Sequence, residues 1–341
     1  IFAEKEQIAG RTSMSGIKVT REMVAQYAGV CKQTVSCYLN KTRGVSKESS
    51  ARIERAIREL NYVPNMVARG LSQKKTMSLA VICDDLGNPN YSEIISGIEQ
   101  AAKAKDYSVL IFDVANQIIA RRIDGVILLT FKNKLGEKNI ANLDEHDIKL
   151  VMTHSAGEIS DRYMQLEPDF YSGVKETLLE LRRRGHEDIV MLSCFGYDDR
   201  YDRRLRIFAE CYETIFERPA RYLIDGHHGG ATLETGKRLA EQLCGSNVPA
   251  TAVFTTNDLM AIGAVKYFHQ TGQIDRYSVI GFDNMAFNEY ISPSLSSIGY
   301  DKIAYGKRLV ELFLANSGGA CARTEYVETK LFLRESIRSV K

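Results

Sequence analysis

Four side chains in the stretch Lys32-Gln33-Thr34-Val35-Ser36-Cys37-Tyr38-Leu39 could read a nucleic acid. At helical spacing Lys32, Gln33, Ser36 and Cys37 share the face opposite Val35 and Leu39. A glutamine amide can pair with an adenine edge, and a lysine can reach guanine or phosphate, so this face suits the DNA major groove. A reading face needs a scaffold, and the flanking residues provide one. Met23, Val24, Tyr27 and Ala28 form an apolar stripe at helical spacing, with Thr20 placed as N-cap. Gly29 stands where that helix must stop and turn. Two short helices joined by a glycine-containing turn make a helix-turn-helix, whose second helix enters the major groove. A third helix is expected after the N-cap Ser46, packing through Ile53, Ala56, Ile57 and Leu60. Pro64 ends it, and Asn65 can cap one more short helix over 66–72. Gly70 weakens that segment by about 1 kcal/mol, so it is expected to fold only when docked.

These residues carry a resemblance. Ala28-Gly29-Val30-x-x-x-Thr34-Val35-Ser36-x-x-Leu39-Asn40, then Val45-Ser46, then Asn61-Tyr62-x-Pro64-Asn65-x-x-Ala68-Arg69-x-Leu71 resembles the DNA-binding head of the lactose repressor (LacI/GalR) family of bacterial transcriptional regulators. The match is dense over the head and continues more weakly to the end of the chain. It implies that Lys32, Gln33 and Cys37 read bases while Thr34 and Ser36 hold the DNA backbone, with Thr20, Cys31 and Asn40 among the contacts. Two positions depart from the family. Cys31 replaces the usual serine cap, weakening a backbone contact. Cys37 stands where arginine is common, which removes a bidentate guanine contact of about 1–3 kcal/mol and implies an uncommon operator. The resemblance further implies that hinge helices of a dimer, here Asn65 to Leu71, enter the minor groove and wedge Leu71 between bases, with Ala68 packed beside it.

Bulk properties agree with a head on a larger body. The 341 residues suit two or three domains, and 44% hydrophobic with 26% charged residues is a soluble globular composition. Residues 18–75 hold twelve Lys/Arg and four Glu, a net of +8, whereas the whole chain totals +2, so the remainder is acidic. A basic module on an acidic body is the electrostatic footprint of nucleic-acid binding. No run approaches eighteen apolar residues, so no membrane helix is expected. Residues 1–17 read as a flexible extension without a signal peptide. Seven scattered cysteines without a Cys-x-x-Cys pair indicate reduced thiols in a cytoplasmic protein, which the resemblance to DNA-binding regulators makes nucleoid-associated.

From residue 77 short apolar runs alternate with amphipathic stretches. Strands are expected at 78–83, 109–112, 125–129 and 150–153. The pattern restarts with helices at 171–184, 205–215, 233–244 and 258–270, and strands at 189–193, 220–224, 252–255 and 278–281. This alternation argues for parallel doubly wound sheets. The fold class is therefore an all-α helix-turn-helix head plus an α/β body of two doubly wound lobes, which the resemblance makes periplasmic-binding-protein-like. The expected division is 18–63 for the head and 64–76 for hinge helix and linker. The lobes are placed at about 77–163 plus 299–323 and about 164–298 plus 324–341. The stretch 114–124 is short for a parallel crossover, and 275–277 is short against the family pattern; real deletions and missing residues would explain either.

Ligands of such sheets sit beyond the carboxyl ends of the strands. That rule points to four loops, and within them the resemblance picks out Asn90 and Tyr91 after the first strand, Arg204, Thr256-Asn257-Asp258 and Asp283, with Tyr300 added at the last crossing. The resemblance makes Arg204 the bidentate ligand arginine and Asp283 the acceptor of paired sugar hydroxyls; Asn88 and Asp258 read as caps. Residues 230–238 lack the phosphate-loop spacing, and His227-His228 has no metal-spaced partner. No catalytic constellation appears. The expectation is a non-enzymatic regulator without metal or cofactor. Its partners would be near-palindromic operator DNA, a carbohydrate-like effector and a second copy of itself. A sugar receptor of the periplasmic type would explain the body but not the basic head.

Overall fold

The computed structural model describes residues 19–40, 44–63, 75–83, 85–112, 116–130, 136–153, 163–199, 202–226, 230–315 and 323–340. The chain forms two compact units, Ile1–Thr76 and Met77–Lys341. The extension 1–17 and the hinge residues Asn65, Ala68 and Leu71 lie outside the described residues.

In the first unit, α1 (Arg21–Ala28), α2 (Lys32–Asn40) and α3 (Lys47–Glu59) surround a small core. Local chemistry sets their ends. Thr20 Oγ1 accepts from the Met23 N–H at 3.4 Å, and Gly29 closes α1 in the left-handed region at φ 62°. Ser46 Oγ accepts from the Ser49 N–H at 3.2 Å to start α3. The core is Val24, Ala25 and Ala28 of α1, Val35 of α2, and Ile53, Ala56 and Leu60 of the α3 region. The expected stripe of α1 differs slightly: Ala25 is buried, whereas Met23 and Tyr27 are half-exposed. A helix wedged between two others buries its small residues deepest, and the Tyr27 hydroxyl reaches out to Glu59.

The second unit holds two six-stranded sheets. The first runs β11-β5-β4-β3-β1-β2, all parallel: β1 (Ser78–Cys83), β2 (Ser108–Phe112), β3 (Gly125–Leu129), β4 (Lys149–Thr153), β5 (Met164–Asp169) and β11 (Arg323–Glu328). The second runs β12-β10-β9-β8-β6-β7: β6 (Ile189–Ser193), β7 (Arg221–Ile224), β8 (Ala252–Thr255), β9 (Ser278–Phe282), β10 (Ser296–Gly299) and β12 (Lys330–Phe332). In it only β12 is antiparallel, against β10. The helices are α4 (Pro89–Lys103), α5 (Asn116–Ala120), α6 (Gly136–Glu145), α7 (Phe170–Arg183), α8 (Arg204–Phe216), α9 (Leu233–Gly245), α10 (Asp258–Gln270) and α11 (Lys302–Ala315). Continuous burial of β3, β6, β8, β9 and β10 follows from helices covering both faces.

The chain passes between the sheets three times, from β5 into α7, from β10 into α11, and from β11 into β12. The expected lobe boundary near 163 is corrected by this path, because Met164–Asp169 pairs with β4 and β11 in the first sheet. That strand, absent from the expected ones, contains Pro168. The proline is tolerated because β5 meets β4 only at Met164 and Gln165, so its missing N–H removes no bond on that side. The short stretch after β2 accommodates a five-residue helix, α5, on its way to β3. The 271–277 link closes in a turn, with the Arg276 N–H donating to the Gln273 carbonyl at 3.0 Å.

Glycine sets one packing distance that matters below. A Cβ on Gly97 of α4 would lie 2.3 Å from the Ile303 carbonyl oxygen, and one on Gly306 of α11 would lie 2.2 Å from the Ile94 carbonyl oxygen. The two helices therefore touch backbone to backbone.

Candidate DNA-reading face and ligand cleft

On α2, Val35 is buried while Cys31, Lys32 and Gln33 are exposed, and Thr34, Ser36, Cys37 and Asn40 are half-buried. The helix thus offers the four expected side chains on its outer surface. Lys32 Nζ lies 2.9 Å from Glu22 of α1, an exposed pair that DNA phosphate can displace. Asn40 Nδ2 donates to Ser36 Oγ at 3.3 Å, and Asn40 Oδ1 is buried without a hydrogen-bond partner among the described residues. Cys31 begins α2: its carbonyl accepts from the Thr34 N–H, and its Sγ lies 3.0 Å from Thr34 Oγ1. The Thr34 hydroxyl lowers the pKa of this exposed thiol below its usual value. Burial instead pushes the Cys194 thiol up to about 12 and the Cys211 thiol up to about 11.

In the second unit the carboxyl ends of β6, β9 and β10 lead into Arg204, Asp283 and Tyr300, three of the expected ligand residues, which come together. Arg204, the first residue of α8, is 3% exposed and is clamped by Asp202: Nε lies 3.1 Å from both carboxylate oxygens and Nη2 2.5 Å from Oδ2. Its guanidinium sits 5.6 Å from the Phe170 ring centre and 5.7 Å from that of Phe282. Nη1 points toward Asp283, 3.7 Å from its Oδ1. Burial disfavours the charge on Arg204, yet the carboxylate of Asp202 overcomes that cost and raises its pKa further. Asp202, Phe170 and Phe282 were not singled out from sequence. Only the Asp-x-Arg spacing of 202–204 could have suggested the clamp.

Asp283 has φ 101° and Asn284 φ 48°, a left-handed pair of non-glycine residues costing roughly 1–3 kcal/mol each. The surroundings hold them. The Asp283 N–H donates to the Ile298 carbonyl at 2.8 Å, and the Asn284 N–H donates to Ser297 Oγ at 2.9 Å. Burial pushes the Asp283 carboxyl up, while Arg204 and Lys302 pull it back. Tyr300 is buried against Tyr305, with ring centres 4.8 Å apart. Burial, then the neighbouring Asp283 charge, raises its pKa. At the start of α4, Asn90 and Tyr91 are both 6% exposed; Tyr91 shares a core cluster with Tyr300, and Asn90 Oδ1 has no hydrogen-bond partner among the described residues.

Asn257 behaves differently. Its Oδ1 caps α10 by accepting from the Met260 N–H, and its Nδ2 donates to the Ala231 carbonyl, each at 3.0 Å. Asn88 caps α4, as its type and position suggested. Asp258 ties three segments together, accepting from the Met285 N–H, Asn288 Nδ2 and Ser297 Oγ. Among the described residues no cluster of His, Cys, Asp and Glu could hold a metal. No helix among them is long and apolar enough to cross a membrane.

Comparison with known proteins places both units. The family model described as bacterial regulatory proteins, lacI family, matches residues 22–65, and a periplasmic binding protein-like domain matches residues 178–337. The HTH-type transcriptional repressor PurR of Vibrio parahaemolyticus is 30% identical over 309 residues, covering 85% of this chain and 90% of that protein. The ribose operon repressor of Escherichia coli K12 is 28% identical over 309 residues, covering 86% and 92%. Among solved structures, the Lac repressor dimer bound to operator and the anti-inducer ONPF superposes with a TM-score of 0.75 at 23% identity, covering 95% of this chain and 100% of that one. A LacI family transcriptional regulator from Enterococcus faecium with bound ribose gives 0.67 at 20% identity, covering 77% and 100%. At these identities the structural likeness speaks for the fold.

Proposed function

Because the chain belongs to the lacI family of bacterial regulatory proteins, we propose that it represses transcription from a near-palindromic operator in the cytoplasm. Its grip is set by a neutral, hydroxyl-rich effector of the sugar class. The protein is a sequence-specific DNA-binding regulator from a family of repressors, which are not enzymes. Two copies would set two α2 helices in successive major grooves, with Lys32, Gln33 and Cys37 toward the bases. Ligand between the lobes would change their angle, and so whether the hinge residues of the two copies can fold on DNA.

The effector class rests on one observation: Asp202 already compensates Arg204, and the remaining Nη1 stands beside the Asp283 carboxylate. An anionic ligand would meet uncompensated negative charge there, whereas a hydroxyl can donate to Asp283 and accept from Arg204. Asn90 Oδ1 offers a further acceptor. Relatives with bound ribose and cellobiose are consistent with this class.

Two assays test the reading. Selection from a random duplex library, followed by anisotropy at several salt concentrations, is expected to yield a palindromic site with a steep salt slope. Gln33→Ala should cost about 1–3 kcal/mol and relax specificity at one base pair. Calorimetry with D-ribose, cellobiose and ribose 5-phosphate should find binding only among the neutral sugars, lost in Asp283→Asn and Arg204→Met. Enrichment of no sequence would end the repressor reading, and binding of the phosphate ester alone would end the neutral-sugar assignment.

A further inference from the structure

The loop that carries Asp283 belongs to the second sheet, but lobe-one helices hold it. Lys302, at the start of α11, is 4% exposed, and its Nζ donates to the carbonyls of Asp283 at 2.6 Å and Asn284 at 2.5 Å. Glu93, on α4, completes the grip: Oε2 lies 3.1 Å from Lys302 Nζ, and Oε1 accepts from the Ala286 N–H at 3.0 Å. A buried ammonium with three such acceptors has its donors satisfied, so the arrangement has one favourable geometry rather than many. The backbone contact of α4 with α11 through Gly97 and Gly306 fixes Glu93 and Lys302 relative to each other. The same loop is also held from its own lobe, where Arg334 Nη2 donates to Asn284 Oδ1 at 2.8 Å and Arg334 Nη1 to the Leu295 carbonyl at 2.9 Å.

Resting on the effector reading above, we infer that Glu93 and Lys302 are positioning residues that join the Asp283 loop to the opposite lobe and so make cleft occupancy and lobe arrangement one equilibrium. Neither residue needs to touch the effector. Movement of Asp283 toward a ligand displaces the two carbonyls on Lys302 and the N–H on Glu93. A change of lobe angle pulls those same bonds from the other side. Such coupling is reciprocal, since each state is favoured only by what binds it better. Arg334 makes a comparable hold on the loop but stands on the same lobe, so it can stiffen the loop without carrying information between lobes.

The test compares the full-length wild type with Lys302→Met, Glu93→Gln and Arg334→Met, without any ligand. Amide hydrogen exchange over 283–290 is expected to quicken at least tenfold in Lys302→Met and in Arg334→Met. Affinity for the operator selected by the wild type is expected to shift at least fivefold, in the same direction, in Lys302→Met and Glu93→Gln, but less than twofold in Arg334→Met. Unchanged exchange in folded Lys302→Met would overturn the grip. Equal operator affinities in Lys302→Met and Arg334→Met would overturn the coupling. A wild type that selects no operator would instead defeat the repressor reading, and the exchange comparison would still decide whether Lys302 holds the loop.

Discussion

At the scale of single residues, the core holds titratable side chains whose burial is matched by hydrogen-bonded partners, Arg204 and His186 among them. Arg204 shows this most clearly: its charge survives burial because Asp202 takes one edge of the guanidinium, and the rings of Phe170 and Phe282 lie beside it. His186 is the neutral counterpart. Its Nδ1 lies 2.8 Å from Thr251 Oγ1 and its Nε2 2.9 Å from the Arg338 carbonyl, joining the end of α7 to the C-terminal strand region. Burial lowers the His186 pKa below its usual value of about 6.5, so the folded state favours the neutral ring. The unfolded chain takes up a proton first as pH falls. The stabilisation is therefore intact above about pH 6.5 and is lost as pH drops from there toward the folded pKa. Chemical denaturation of wild type and His186→Gln should show the wild type alone losing stability between pH 7 and 5. Parallel pH profiles would remove His186 from the explanation.

At the scale of elements, the contact of α4 with α11 decides how the ligand residues and the interlobe grip are aligned. Asn90 and Tyr91 open α4, Glu93 lies one turn in, and Lys302 opens α11. All are registered by glycines that face carbonyl oxygens so closely that no Cβ would fit between. Gly97→Ala should force the helices apart and cost about 1–3 kcal/mol, read as a lower denaturation midpoint of the core. Periodicity announces a helix over 91–105, and α4 lies two residues earlier at each end. It could not reveal that α4 pairs with α11, because 198 residues separate their closest ends.

At the scale of the molecule, the two sheets end in edge strands far from the crossings, β2 in one and β7 in the other. Both edges expose apolar side chains: Ile111 on β2, and Tyr222 and Ile224 on β7, with Tyr197 stacked on Tyr222 at 6.2 Å. Unprotected edges of this kind invite pairing with another chain, and a near-palindromic operator requires one. We expect a homodimer across these edges. Sedimentation should therefore find the wild type dimeric and Tyr222→Asp with Ile224→Asp monomeric, with operator affinity falling in parallel. A double variant that stays dimeric would place the interface elsewhere.

The sequence by itself determined the elements and their chemistry. Caps at Thr20, Ser46 and Asn88 are local hydrogen bonds, the head helices follow from a three-residue rhythm of apolar positions, and the alternation of short apolar runs with amphipathic stretches forced a parallel doubly wound body. Arg204 and Asp283 were legible as residue types beyond strand ends. Tertiary structure alone decided what those residues do for one another. The approach of Arg204 to Asp283, the paired rings of Phe170 and Phe282, the assignment of Met164–Asp169 to the first sheet and the Glu93–Lys302 grip all join segments distant in sequence or break a local rule. Spacing rules describe what one segment prefers. The partner that satisfies a buried charge is chosen by how the whole chain folds back, because a charge out of water is stable only where that partner arrives.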